Sequence, residues 1–437
     1  MKNLFKLLSI ACLVTVMSSA PAFAVNGNQV RGVGAYGEGM SGAVTAAPFD
    51  TSTLVTNPAG ITKIGNRTDM NFSLFSPKRK VDFSASGGEE TYGNTDFYML
   101  PGIGLSGQVG DDDTLFVGMG IFVTAGMGAD FGPMKGIGIG APGADRNPTW
   151  RLFSKMQFWK MTPTIAKKIN DQFSIAGSIN INYQEVQLQQ SVVDSKYGTN
   201  GIMANSAEGT MGYGFTLGAL YEVNDMITFG ANYSSRQNMG DMKYNLLAGS
   251  LALPNKDGTS AVNAVGGEYA IDLDFPSQWA LGVAVKPMPT LLITADYKRI
   301  NFSESYDQVD IKGDFVNMGP SGPVGTSNKY TLDFGWEDIS VMAIAVQFQV
   351  AEAAWIRAGY NQSDSTVGEE DVSNNVALPA VGKTSWSLGA TINLGDMWQT
   401  SLAYVNMQEN TVEASDGSGT QITLGGTSLT WGLGARF

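Results

Sequence analysis

Histidine is absent from all 437 residues, and cysteine occurs once, at Cys12. The first absence removes the Ser-His-Asp triad, the Cys-His pair and the His-Glu-x-x-His zinc helix, each of which needs imidazole as base or ligand. The second removes disulfides and thiolate catalysis. Charged side chains make up only 15% of the chain, well below the roughly 25% of soluble domains. No stretch offers the ~18 uninterrupted apolar residues of a membrane helix. Basic residues are also in deficit, 27 against 40 acidic ones, which argues against nucleic acid as a partner. Glycine is plentiful, at 54 residues, and that points to strands punctuated by turns. Nothing here calls for a metal, a cofactor or a catalytic group, and an enzyme is not expected.

The first two dozen residues read as an export signal. Lys2 and Lys6 precede an apolar core from Leu7 to Met17, and Ala22-Phe23-Ala24 supplies small residues for cleavage after Ala24. Ser9-Ile10-Ala11-Cys12 lies inside that core and lacks the leucine that opens a lipoprotein site. Cleavage leaves a mature chain without cysteine, which suits passage through an oxidising compartment.

Past residue 66 the chain alternates. Phe173, Ile175, Ile179, Ile181 and Tyr183 share one phase; Ser174, Ser178, Asn180, Asn182 and Gln184 share the other. That is a strand with one apolar and one polar face. The pattern returns at Met211–Tyr221, Trp279–Val285 and Trp386–Ile392. Very short links fall near 110–113, 169–171, 223–225, 286–289, 350–353 and 395–397. Longer polar stretches fall near 85–94, 125–151, 187–206, 239–267, 303–328, 362–381 and 408–420. Tight turns alternating with long loops are the signature of an outer-membrane barrel, and the links delimit fourteen strands. The expected architecture is all-β: a signal peptide at 1–24, a non-alternating segment at 25–66, and a fourteen-stranded antiparallel transmembrane barrel at 67–437. Leu429, Trp431, Leu433, Ala435 and Phe437 sit two apart, and an alternating last strand closing on Phe437 reads as a signal to the barrel-assembly machinery.

Residues 25–66 are small and Gly/Ala-rich and end in Asn57-Pro58-Ala59-Gly60. They form either a periplasmic tail or a compact plug in the lumen. Proline keeps Asn57 extended, and Gly60 permits a turn closed to other residues.

Several motifs, taken in order, resemble the FadL/TodX outer-membrane transporters of long-chain fatty acids and aromatic hydrocarbons. They are Arg31-Gly32-Val33-Gly34 with Gly37 to Gly42, Asn57-Pro58-Ala59-Gly60, and Thr162-Pro163-Thr164-Ile165-Ala166. Phe275-Pro276-Ser277-Gln278-Trp279-Ala280-Leu281-Gly282 then runs into Ala295-Asp296-Tyr297, and Trp336-Glu337-Asp338 precedes Ile356-Arg357-Ala358-Gly359-Tyr360. The resemblance implies an N-terminal hatch carrying the Asn-Pro-Ala motif and a kink in the third strand that opens a lateral exit. Thr124-Ala125-Gly126-Met127-Gly128 departs from the Pro-Phe-Gly-like stretch of relatives.

Candidate site residues follow. Gly118 and Gly120 fall opposite Leu115, Val117, Met119 and Ile121, and mark a lateral gate or room for the hatch. Phe131, Met134, Ile137 and Ile139 lie in the 126–144 stretch, as an outer hydrophobic groove or as packing on the rim. By phase Asp296, Lys298 and Arg357 face the lumen, since arginine on the lipid face costs roughly 2–4 kcal/mol at the midplane. There they meet either a substrate carboxylate or the hatch. The acidic runs Glu369-Glu370-Asp371, Asp307 to Asp310 and Asp314 read as solvated surface rather than as cation bridges to lipopolysaccharide. The function expected is passive passage of hydrophobic molecules, chiefly long-chain fatty acids, across the outer membrane of a Gram-negative bacterium. Aromatic hydrocarbons are the alternative, and a general porin, a phospholipase or an adhesin the rivals. A monomer in contact with outer-membrane lipid and lipopolysaccharide is expected.

Overall fold

A computed structural model describes residues 26–94, 97–135, 149–194, 198–246, 252–254, 261–319 and 321–437. The export signal, Ile137 and Ile139 lie outside the described residues.

The alternating segments form strands, and the phase reading holds with its faces as a barrel requires. In the strand over Phe173–Asp194 the apolar Ile179 is 64% exposed, while its neighbour Asn180 is fully buried. Ser174, Ser178, Asn182 and Gln184 are buried with Asn180. A water-soluble sheet would invert this. Here the apolar phase suits lipid and the polar phase lines an interior.

Among the described residues fourteen such strands pair antiparallel. They are β1 (Arg67–Asp82), β2 (Tyr98–Val109), β3 (Asp112–Lys135), and β4 (Thr149–Met161, continued by Thr164–Lys168). β5 (Phe173–Asp194), β6 (Gly198–Asn224), β7 (Ile227–Ser234), β8 (Gln278–Met288) and β9 (Leu291–Ile300) follow. β10 (Ile339–Ala351), β11 (Ala354–Ser363), β12 (Thr384–Leu394), β13 (Trp398–Glu413) and β14 (Gln421–Arg436) complete them. Phe72 of β1 lies opposite both Trp431 of β14 and Pro101 of β2, so the first strand closes the sheet. Closure satisfies every edge, which an open sheet in hydrocarbon cannot do.

All six short links are tight turns. Asn170 Oδ1 accepts the N–H of Gln172 (2.9 Å) and Phe173 (2.8 Å), and Asn224 Oδ1 accepts those of Met226 (2.9 Å) and Ile227 (3.0 Å). Asparagine side chains holding their own backbone two and three residues on explain why Asn-Asp recurs at these links.

The opposite end differs from the expected run of polar loops. The described residues of 125–151 are strand, since β3 runs to Lys135 and β4 starts at Thr149. Much of 239–267 and 303–328 forms a second antiparallel sheet, with strands at Met242–Leu246, Gly267–Ile271, Gln308–Gly319 and Gly322–Asp333. One face of that sheet carries Tyr244, Tyr269, Ile271, Val309, Ile311 and Phe315. These join a single apolar cluster with inner-face residues of the barrel such as Tyr98, Leu100 and Met127. The loops are therefore a cap whose core is continuous with the inner wall of the barrel.

Candidate functional site

Residues 26–66 form α1 (Gly34–Gly39), α2 (Thr53–Thr56), a 3-10 turn at Pro58–Gly60 and α3 (Ile61–Ile64). These helices are too short to stand alone. Their stability comes from the surrounding wall, which they touch on many strands. Ala35 N–H donates to Asn71 Oδ1 of β1 (3.0 Å), and Thr51 N–H to Asp69 Oδ2 (2.9 Å). Ser387 Oγ of β12 donates to Gly39 O (3.0 Å), and Asn361 Nδ2 of β11 to Ser41 O (3.1 Å). Asp296 Oδ2 of β9 accepts the N–H of both Val44 (3.0 Å) and Thr45 (2.8 Å).

Asn57 is extended, as expected before proline, at φ −155 and ψ 99. Its amide Nδ2 donates to Thr45 O (2.8 Å) and, across the lumen boundary, to Ala219 O of β6 (2.9 Å). Its Oδ1 accepts from Ala59 N–H (3.3 Å). The expectation for Gly60 fails. Its φ of −63 is ordinary helical backbone, and glycine is needed there because a Cβ would collide with Thr53 and Pro48.

Close approach also accounts for a set of residues that sequence reasoning passed over. Gly218 leaves room for Asn57 and Pro58, Gly230 and Gly282 for Thr45 and Ala46, Gly359 for Met40 and Ser41, and Gly389 for Gly39. Each lies on the inward phase of its strand. Together they form a seat from which side chains have been removed so that backbone can lie on backbone. The signal in the sequence was an inward-phase glycine in β6, β7, β8, β11 and β12, with none in β9 and β10.

Asp296 of β9 and Arg357 of β11 are buried on the polar phase of their strands, and Lys298 shares the phase of Asp296. The Arg357 guanidinium lies 4.8 Å from the Tyr36 ring centre and 4.6 Å from that of Phe49. The two rings stack at 4.5 Å. Arg357 Nε donates to Gln347 Oε1 (2.7 Å) and Nη1 to Thr391 Oγ1 (2.6 Å). This arginine therefore grips the N-terminal segment, and Asp296 does the same through two backbone amides. Lys298 differs from them. It lines a cavity of about 60 Å³ between the segment and the wall, together with Lys160, Arg31 and Gln29. Lys160 escaped the sequence reading because Leu152, Ser154, Met156 and Phe158 share its phase and show no polar stripe.

Gly118 and Gly120 point inward, but the wall at both is paired. Gly118 faces Ser106 and Thr164, Gly120 faces Gly104, and Thr162 N–H donates to Gly120 O (2.9 Å). A Cβ on Gly118 would lie 2.8 Å from Leu54 and 3.6 Å from Ile61 of the segment. The fully buried Phe122 ring occupies the space over Gly102, Gly104 and Gly120. Irregularity appears beside them instead. β4 is broken at Thr162-Pro163, where proline lacks a donor. β3 bulges at Thr124, whose carbonyl accepts from Val30 N–H (3.1 Å) instead of from its neighbouring strand.

Phe131 and Met134 do not form an exposed groove. They belong to β3, are buried at 0% and 2%, and face the interior cluster. Tyr306 and Trp336 stack at 4.7 Å within that cluster, with Trp336 Nε1 donating to Asn375 Oδ1 (2.7 Å). Ser154 Oγ of β4 donates to Ala377 O (2.5 Å), drawing the 364–383 connection onto the inner wall. Among the acidic runs, Asp310 accepts from Lys329 Nζ (2.7 Å) and Thr331 Oγ1 (2.5 Å), and the Lys329 contact holds its carboxyl below the usual range. No cluster of metal-ligating side chains occurs among the described residues.

The arrangement is a closed barrel with an apolar outer interior, a polar inner wall and a chain segment seated across it. The family model for outer membrane protein transport proteins (OMPP1/FadL/TodX) matches residues 11–436. The Pseudomonas putida toluene transporter TodX has a similar structure, with a TM-score of 0.71 at 16% identity over 94% of this chain and 100% of that one. The Ralstonia pickettii toluene transporter TbuX gives 0.67 at 16% identity over 93% and 99%. A Pseudomonas aeruginosa FadL homologue gives 0.68 at 15% over 94% and 100%. No curated protein sequence matches the chain. The chain belongs to the OMPP1/FadL/TodX family of transport proteins of the Gram-negative outer membrane.

Proposed function

We propose that this barrel carries long-chain fatty acids passively into the outer membrane, with residues 26–66 as its hatch. The observation that carries the reading is the apolar cluster on the inner face of the outer half, from Phe75, Tyr98, Leu100, Met127 and Phe131 to the cap residues Tyr244 and Phe315. A water-filled porin has no use for such a lining. Burying one methylene releases about 0.8 kcal/mol, so a dozen methylenes supply on the order of ten kcal/mol toward an apolar path and away from an aqueous pore. No energy source is required, because the solute then partitions into the bilayer unaided.

The hatch blocks a straight axial path through its contacts with β1, β6, β9, β11 and β12. That favours a sideways exit between β3 and β4, where Gly118 and Gly120 adjoin the break at Pro163 and the bulge at Thr124. Two solved structures of similar fold are toluene transporters, which favours monoaromatic hydrocarbons as the second reading.

Uptake by cells or proteoliposomes separates the candidates. Oleate should enter fastest, toluene detectably, and sugars not at all. Sugar flux matching that of oleate would overturn the reading in favour of a general porin.

A further inference from the structure

Glu38 of α1 is 4% exposed, and among the described residues the one cation within 4.0 Å of it is Arg31, at 3.7 Å. That contact is too long for a hydrogen bond, and Glu38 Oε2 accepts none among the described residues. On the facing wall Asn71 of β1 is 3% exposed. Its Oδ1 is committed to Ala35 N–H (3.0 Å), while its Nδ2 donates to no described residue. Gly432 of β14 makes room for this amide, since a Cβ there would lie 2.6 Å from Asn71 Oδ1. Two residues on, Ser73 Oγ accepts from Thr430 Oγ1 (2.8 Å), its register partner on β14. The serine's own proton is thus free for a further acceptor.

Glu38, Asn71 and Ser73 line one cavity of about 10 Å³, bordered on its apolar side by Leu100, Phe122 and Val123. A water needs roughly 10–15 Å³ and two to four polar partners, so both the volume and the lining match a single molecule. A cation is disfavoured, because Arg31 stands beside the carboxylate and Asn71 turns its NH2 group toward the space. An anion is disfavoured by Glu38 itself. Nothing larger fits.

We infer that this cavity is a binding site for one ordered water, which ties α1 to the seam where β14 closes on β1. The water accepts from Asn71 Nδ2 and Ser73 Oγ and donates to Glu38 Oε2. It gives the carboxylate the hydrogen bond that Arg31 is too distant to supply, and a buried ion pair is costly without such bonds. The site also explains how the segment meets this part of the wall. On β6 to β8 and on β11 and β12, inward glycines let backbone lie on backbone. The inward phase of β1 carries Asp69, Asn71 and Ser73 instead. There the fit is completed by solvent, not by close packing.

The first test is a crystal structure of the full-length barrel at a resolution that shows ordered solvent, from crystals grown in rubidium chloride. One peak should lie roughly 2.6–3.2 Å from Glu38 Oε2, Asn71 Nδ2 and Ser73 Oγ, without rubidium anomalous signal. A rubidium signal at the peak would overturn the inference in favour of a cation site. Direct contact between Asn71 Nδ2 and Glu38 Oε2, with the space closed, would overturn it as well. The second test is a cycle of Ser73→Ala, Glu38→Met and the double variant, read as the rate of proteolytic cleavage within residues 26–66. No described hydrogen bond joins Ser73 to Glu38, so coupling between them reports the shared water. Ser73→Ala should speed cleavage about three- to tenfold in the parent, the range of one hydrogen bond, and less than about twofold once Glu38 is gone. The same factor in both backgrounds would show that no water links them. Heat-modifiability on gels certifies that each variant is folded, and the crystal structure decides alone should Glu38→Met fail to assemble.

Discussion

The side-chain amide of Asn57 occupies the space that a Cβ on Gly218 would fill, and it donates to the carbonyl of the next residue, Ala219, at 2.9 Å. A motif residue of the N-terminal segment and a bare position on the wall are thus two halves of one joint. Either half can be broken alone. Gly218→Val should leave a folded barrel whose hatch is unseated, and Asn57→Ala should strand the Thr45 and Ala219 carbonyls at a cost of about 1–3 kcal/mol. Both variants should show raised conductance in planar bilayers. Parental conductance in both would mean that the segment is held elsewhere.

Arg357 offers a sharper probe, because charge and shape can be separated. Lysine keeps the charge but loses the planar fork that reaches Gln347 and Thr391 and lies against Tyr36 and Phe49. Arg357→Lys should therefore destabilise the hatch by about 1–3 kcal/mol and leave β11 in place. Limited proteolysis within residues 26–66, with the barrel remaining heat-modifiable, would report it. Resistance equal to the parent would show that charge alone suffices.

Gly118 tests the seat against the exit. Its missing Cβ makes room for Leu54, so Gly118→Ala should loosen the hatch even though alanine scarcely narrows the wall. Leu54→Ala in the same chain should relieve the crowding and recover stability. If uptake of oleate stays low in that relieved double variant, the glycine serves the exit; if uptake returns, it serves the seat.

Phe122 fills the hollow over Gly102, Gly104 and Gly120. Phe122→Ala should cost about 3–5 kcal/mol in thermal stability and speed release of a hydrophobic solute to the bilayer. Slower release would argue that this ring guides the solute instead of covering a sideways path.

Phe437 ends the chain 72% exposed, with its N–H on Asn66 O at 3.2 Å. Replacing it with aspartate should lower the amount of assembled barrel while leaving export intact. Parental levels of heat-modifiable protein would exclude an assembly role.

The barrel was legible because each strand repeats one test, the two-residue alternation, and lipid punishes an error of phase in every strand. Arg357 and Asp296 were legible for the same reason. Phe131 and Met134 were not. Glycines at 126, 128 and 132 erase the alternation there, so a continuing strand reads as a loop. The cap was hidden similarly, because Val309 and Ile311 alternate with Asp310 and Lys312 as an outer loop might by chance. Gly60 misled because glycine has two uses, a free φ and an absent side chain, and sequence cannot tell which is in force. The seat lay beyond reach for a different reason. Recognising Gly218 requires knowing that Asn57, some 160 residues earlier, lies against it.

The long hairpin of β5 and β6 carries a last implication. On β5 the outward apolar phase ends near Tyr183, and Glu185, Gln187 and Gln189 continue it for the remaining half of the strand. At about 3.3 Å per residue and a tilt near 40°, the eleven residues after Tyr183 lift the outer rim roughly 25–30 Å above the hydrocarbon. A solute would first meet the protein at that height, outside much of the sugar coat that screens the membrane from greasy compounds. The same elevation exposes this hairpin to antibodies and phage tails, so the part of the wall that sees no lipid is where immune and viral pressure should fall hardest.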